Sequence, residues 1–221
     1  MLTKVNSELV KEFGLSSGAN VVGIAASKDF GLAPEGFKPS DKLEGCRSVI
    51  VCGVPFPQEA LLKNSVEYTE IRNELVKKMD GIAKEVAKQI IKKGYKAKAI
   101  GSVGTKGYNG PISLKHAAEL AGLGIINRNY LLTNPEYGNL LFLSAILTDA
   151  DLIPDKKVKY KICDNCNKCV KMCPSKALDD PNLFSNKECA KICISVKDKL
   201  EFKCFLCRKV CPYRFGKLVI K

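Results

Sequence analysis

Cys163-Asp164-Asn165-Cys166-Asn167-Lys168-Cys169-Val170-Lys171-Met172-Cys173-Pro174 decides how the rest of the chain is read. Its C-x2-C-x2-C-x3-C-P spacing sets three thiolates on one tight loop around an iron–sulfur cluster, while the fourth cysteine reaches a second cluster. A shorter copy follows at Cys204, Cys207, Cys211 and Pro212, with Cys189 and Cys193 between the two runs. The pattern predicts two [4Fe-4S] clusters. A zinc site also uses C-x2-C pairs but needs four ligands and usually mixes in histidine, whereas nine cysteines crowd residues 163 to 211. A disulfide scaffold goes with a secretory leader, and the sequence from Met1 does not read as one.

Crossover ligation assigns Cys163, Cys166, Cys169 and Cys211 to one cluster. The other takes Cys173, Cys204, Cys207 and one of Cys189 or Cys193, which leaves one thiol in surplus. Cys46 and Cys52 flank the apolar run Ser48 to Val54 and read as packed, unreactive thiols.

The chain has 221 residues and a formal charge of +13, room for one sizeable core and a small appended module. Residues 1 to 154 hold 19 Lys/Arg against 16 Asp/Glu; residues 155 to 221 hold 17 against 7. The excess therefore sits on the cysteine-rich module. Each cluster with its four deprotonated thiolates carries roughly −2, so part of the lysine surplus is counter-charge. The remainder suits an acidic electron donor such as a ferredoxin or flavodoxin; a phosphate backbone is the weaker reading. No twin-arginine leader and no apolar run of about 18 residues is read, so a soluble cytoplasmic protein, anaerobic in its chemistry and without a membrane partner, is expected.

The first two thirds read as one α/β domain. Leu2, Val5, Leu9, Val10 and Phe13 recur at helical spacing, and Val21 to Ala25 and Val49 to Val54 are β-branched runs. Residues 65 to 93 predict a long amphipathic helix through Ile71, Leu75, Met79, Ile82, Val86 and Ile90, ended by Gly94. Ala97 to Ile100 and Leu140 to Leu147 predict two further strands. Between the last two lies Gly101-Ser102-Val103-Gly104-Thr105-Lys106-Gly107-Tyr108-Asn109-Gly110-Pro111, which feeds a helix over 112 to 121. Such a loop admits a large ligand against bare backbone, but it lacks the G-x4-G-K-[ST] order of a P-loop. His116, the single histidine, sits within that helix and reads as a packed or surface residue.

The block Ala121-Gly122-Leu123-Gly124, Asn127-Arg128-Asn129, Leu131-Leu132, Pro135-Glu136-Tyr137-Gly138 and Thr148-Asp149-Ala150-Asp151-Leu152 precedes the cysteine run. It resembles the corresponding block of the cobalamin-dependent iron–sulfur reductases, the epoxyqueuosine reductases and reductive dehalogenases, over roughly residues 45 to 215. Cys193-Ile194-Ser195 also resembles their isolated C-I-S, which favours Cys193 as the remaining ligand. The resemblance implies an α+β protein: a nitroreductase-like α/β domain over residues 1 to 155, which holds a base-off corrinoid (cobalamin), then a small ferredoxin-like double-[4Fe-4S] module over 156 to 221.

It further implies an oxidoreductase in which electrons pass through the clusters to the corrinoid for a reductive reaction, with cofactor contacts at Tyr108, Leu132, Leu143, Ser144 and Ser195. Where epoxyqueuosine reductases carry an Asp in D-S-A-P-V-L-E, this chain has Tyr108, which is therefore the expected proton donor. The sequence stops ten residues after Cys211, so a short form without the tRNA-gripping helical repeats is expected. Two alternatives remain beside this reading: a corrinoid-free ferredoxin-type electron-transfer protein, and an epoxyqueuosine reductase acting in tRNA queuosine modification.

Overall fold

The computed structural model describes residues 4–102, 110–180, 184–196 and 200–216. Helix α1 (Ser7–Ser16) opens where the Asn6 side chain accepts a hydrogen bond from the Leu9 amide at 2.8 Å, which sets its start later than apolar spacing suggested. Strands β1 (Val21–Ala26) and β2 (Ser48–Pro55) follow, joined by a Gly/Pro-rich loop with two short 3-10 turns. Helix α2 (Ser65–Lys92) has a reciprocal cap: Asn64 accepts from the Glu67 amide, and Glu67 accepts from the Asn64 amide. Gly94, at φ 89°, closes it. Then come β3 (Ala97–Ile100), α3 (Leu114–Leu120), the short pair β4 (Ile125–Ile126) and β5 (Leu132–Thr133), and β6 (Leu141–Thr148).

Four strands form one sheet in the order β1-β2-β6-β3, and every neighbouring pair is antiparallel. Both faces are covered. Ile50, Cys52 and Val54 of β2, with Ile146 of β6, pack against α1 and the α2 stripe Met79, Ile82, Val86 and Ile90. Val49, Val51, Ala145 and Leu147 point the other way, onto Ala117 and Ala118 of α3. That double burial is why β2 and β6 read as continuous apolar runs and not as alternating ones.

An extended segment leads into α4 (Lys168–Lys171), α5 (Asn186–Cys193), the hairpin β7 (Ile194–Val196) and β8 (Leu200–Phe202), and α6 (Leu206–Lys209). This cysteine-rich part packs directly on the sheet unit. Phe202, Phe205 and Phe215 close a third core around Phe56, Tyr68 and Leu140, with the Tyr68 and Phe205 rings stacked at 3.9 Å. Arg72 of α2 lies over Phe202 at 3.9 Å, a cation–π contact that also covers the ring. Among the described residues no helix is long and apolar enough to cross a membrane.

Candidate metal centres and the adjoining cavity

Cys163, Cys166, Cys169 and Cys211 line one small pocket. Three come from the loop and the start of α4; Cys211 arrives from beyond α6. The loop bends through left-handed backbone at Cys163 (φ 73°), Asn165 (φ 53°) and Asn167 (φ 46°). Asparagine tolerates that region, but a cysteine there is strained. Cys163 Sγ also donates to Asn127 Oδ1 at 3.7 Å. Burial pushes the Cys169 and Cys211 thiols up, and the neighbouring cysteines add to it: Cys163 for Cys169, and Cys163, Cys169 and Cys166 for Cys211. Sulfurs that resist ionising together are the environment a cluster's iron would relieve, since metal ligation deprotonates thiols.

In the second group Cys189 and Cys193, one turn apart on α5, stand with sulfurs 3.6 Å apart. Cys193 feels Cys204 and Cys207 as neighbours, and Cys189 donates to its sulfur, which lowers its pKa. The same contact and burial push Cys189 well up. Burial pushes Cys207 up to about 12, with Cys189, Cys204 and Cys169 adding to the effect. Cys207 therefore adjoins both groups. Cys173 enters the second set through the sequence crossover; its sulfur meets the Ser175 hydroxyl at 3.4 Å. Among the described residues no three Cys, His, Asp or Glu side chains converge on a single-ion position.

Spacing did not reveal the polar residues that seat these loops. Asn129 Nδ2 donates to the Cys207 carbonyl at 3.1 Å, and Asn139 Nδ2 to the Arg208 carbonyl at 3.4 Å. Arg208 in turn bonds the Asn139 carbonyl. Arg128 donates to the Asp179 and Asp180 carbonyls at 3.1 and 3.2 Å. Gly138 has φ 58°, and a Cβ there would collide with the Arg214 backbone. Asn127 to Asn129 and the P-E-Y-G turn thus serve as a cradle for the cysteine loops.

On the α3 side of the sheet lies a larger cavity, of about 720 Å³. Phe30, Phe37, Ile112 and Leu120 supply apolar walls; Lys115 and His116 supply polar groups. Gly101, Ser102 and Gly110, the two stems of the Gly-rich loop, line it as well. Asp80 of α2 anchors the first stem, accepting from the Ser102 amide at 2.9 Å and its hydroxyl at 3.1 Å. Tyr108 lies outside the described residues. His116 Nδ1 is 2.7 Å from Ser113 Oγ; burial and the Lys115 charge hold its pKa down. Lys115, its pKa lowered by burial, has the Cys207 and Cys189 thiols as neighbours, and Asn186 at the start of α5 also lines the cavity. The second cysteine group therefore borders this space.

The other residues singled out for cofactor contact sit elsewhere. Leu132 and Leu143 pack in the core beneath α3, and neither lines the cavity. Ser144, opposite Cys52, has its side chain on the α1 and α2 face, where its hydroxyl has no hydrogen-bond partner among the described residues. Ser195 pairs with Glu201 in the β7–β8 hairpin.

No protein-family model matches the chain. An epoxyqueuosine reductase of Gloeobacter violaceus is 33% identical over 156 residues, 66% of this chain and 46% of the relative. One of Lactococcus garvieae is 27% identical over 201 residues, 82% of this chain and 56% of the relative. The chain is a relative of the epoxyqueuosine reductases. It spans between about a third and just over half the length of such proteins. The fold agrees: the structure of epoxyqueuosine reductase from Streptococcus thermophilus superposes with TM-score 0.67 at 20% identity, covering 97% of this chain and 68% of that one. A reductive dehalogenase structure reaches TM-score 0.63 at 22% identity, covering 80% of this chain and 26% of that one. The resemblance read from the A-G-L-G to T-D block and the cysteine spacing holds, as does a mixed fold of helices and strands.

Proposed function

We propose that this protein is an iron–sulfur reductase with two [4Fe-4S] clusters beside a corrinoid-binding cavity. The observation that carries the reading is the meeting of Cys211 with Cys163, Cys166 and Cys169 about one space, from opposite ends of the cysteine-rich part. Cys173, Cys204, Cys207 and Cys193 form the second ligand set. In this reading residues 1 to 155 are a nitroreductase-like corrinoid domain and residues 156 to 221 a ferredoxin-like module. When bound, the clusters supply low-potential single electrons and the corrinoid a strongly reducing cobalt.

The chain's own residues provide the rest. Bare glycine stems at Gly101 and Gly110 and the apolar walls suit a broad, largely hydrophobic ring. Lys115 stands between the cavity and Cys207, so its charge favours negative charge arriving from the second group. Tyr108, on the loop whose two stems line the cavity, serves as the proton donor, with Lys106 close by in sequence to ease its ionisation. An acidic ferredoxin or flavodoxin fits the exposed Lys161, Lys168, Lys171 and Lys176 around the first cysteine loop. The names of the curated relatives, with the structural neighbour solved with an epoxyqueuosine-modified tRNA stem loop, favour a modified nucleoside in tRNA as the substrate class.

Anaerobic titration of the iron-loaded protein with cobalamin, followed by visible absorption, tests the cavity. Saturable binding of a base-off cobalt species below high micromolar concentration is expected; no binding there contradicts the corrinoid assignment. Tyr108→Phe should leave corrinoid affinity within about threefold while cutting reductive turnover by roughly 10²–10⁴.

A further inference from the structure

The surplus thiol has a specific geometry. Cys189 and Cys193 share one face of α5, and their sulfurs lie 3.6 Å apart. A [4Fe-4S] cluster takes four cysteines, one to each iron, so only one thiol of the pair can be bound at a time. Each sulfur lies within 3.6 Å of the place the other occupies, a distance that a side-chain rotation covers. Their other neighbours agree, since Cys193 faces Cys204 and Cys207 while Cys207 faces Cys189 and Cys204. Both thiols address the same part of the second group.

We infer that Cys189 and Cys193 are exchangeable ligands of one iron of the second cluster. This rests on the two-cluster reading above. In the exchange one iron–sulfur bond to Cys193 breaks and one to Cys189 forms; the Cys189 proton passes to the released Cys193 sulfur, and no electron is gained or lost. The two ligation states differ in where the thiolate charge sits. With Cys189 bound, the charge lies beside the Lys115 ammonium on the cavity wall; with Cys193 bound, it lies nearer Cys204 and Cys207.

The test is iron and acid-labile sulfide per chain in full-length protein reconstituted anaerobically, for Cys189→Ala, Cys193→Ala and the double variant. Each single variant should hold about eight irons, like the parent, and the double variant about four. If Cys193→Ala alone falls to about four, or Cys189→Ala alone does, one thiol is the fixed ligand and the inference is overturned. Brief anaerobic alkylation of the parent holoprotein, read by peptide mass spectrometry, gives the answer without any variant. Exchange distributes the label over both Cys189 and Cys193; label confined to one of them overturns it. A parent protein without sulfide would instead defeat the cluster reading itself, so the two failures are distinguishable.

Discussion

The sheet unit and the cysteine-rich part are built on opposite principles. In the sheet unit, α1, α2 and α3 bury Ile50, Val51, Met79, Ile90, Ile146 and Leu147 completely, and the fold follows from removing those side chains from water. Beyond residue 155 the buried apolar side chains among the described residues are only Ala177, Leu178 and Ala190, with the Cys169 and Cys211 thiols. So small an interior cannot offset the chain entropy of ordering the segment. The lesson is that its order draws on docking onto the sheet unit through Asn129, Asn139 and the Phe202–Phe205 face and, in the reading proposed above, on metal ligation.

Removing the metal should separate the two regions most sharply. Chelation of the reconstituted protein, or Cys169→Ala, is expected to make residues 156 to 216 protease-sensitive while the sheet unit keeps its far-ultraviolet dichroism. Equal loss of both regions would show that the sheet unit depends on the clusters too. Next in size, Met79→Ala or Ile146→Ala should cost about 2–5 kcal/mol in denaturant unfolding of the sheet unit, without altering iron content in the folded fraction. Gly138→Ala acts on the seam: the left-handed backbone and the clash with Arg214 should cost about 1–3 kcal/mol and loosen the cysteine loops, seen as faster hydrogen exchange near Cys207. The smallest effect is expected at Asp155, which accepts from the Ile24 amide at 2.9 Å and pairs with Lys11. Asp155→Ala should cost about 1 kcal/mol, with the ion-pair share vanishing at high salt.

The same contrast explains what was legible from sequence. Helix α2 was readable to within a residue because its cap, stripe and terminating Gly94 are all local signals. That Cys163, Cys166 and Cys169 come together was readable because they lie on one loop of fixed spacing. The short pairs β4–β5 and β7–β8 escaped, since two or three residues are too few to show a period. Arg128, Asn129 and Asn139 escaped as cradle residues because their bonds reach carbonyls 51 to 78 residues away, and no local pattern encodes that. Asn129 and Arg128 did stand in the block that resembled the reductases, so the resemblance marked the place without the mechanical reason. The antiparallel pairing of all four strands also lay beyond sequence patterning, because buried strands look alike in parallel and antiparallel sheets.

The central claim, that nine crowded cysteines hold two clusters and not a zinc ion, is tested most directly by metal and sulfide analysis of the full chain purified anaerobically. The account predicts about eight irons and eight acid-labile sulfides per chain; about one zinc with no sulfide would contradict it.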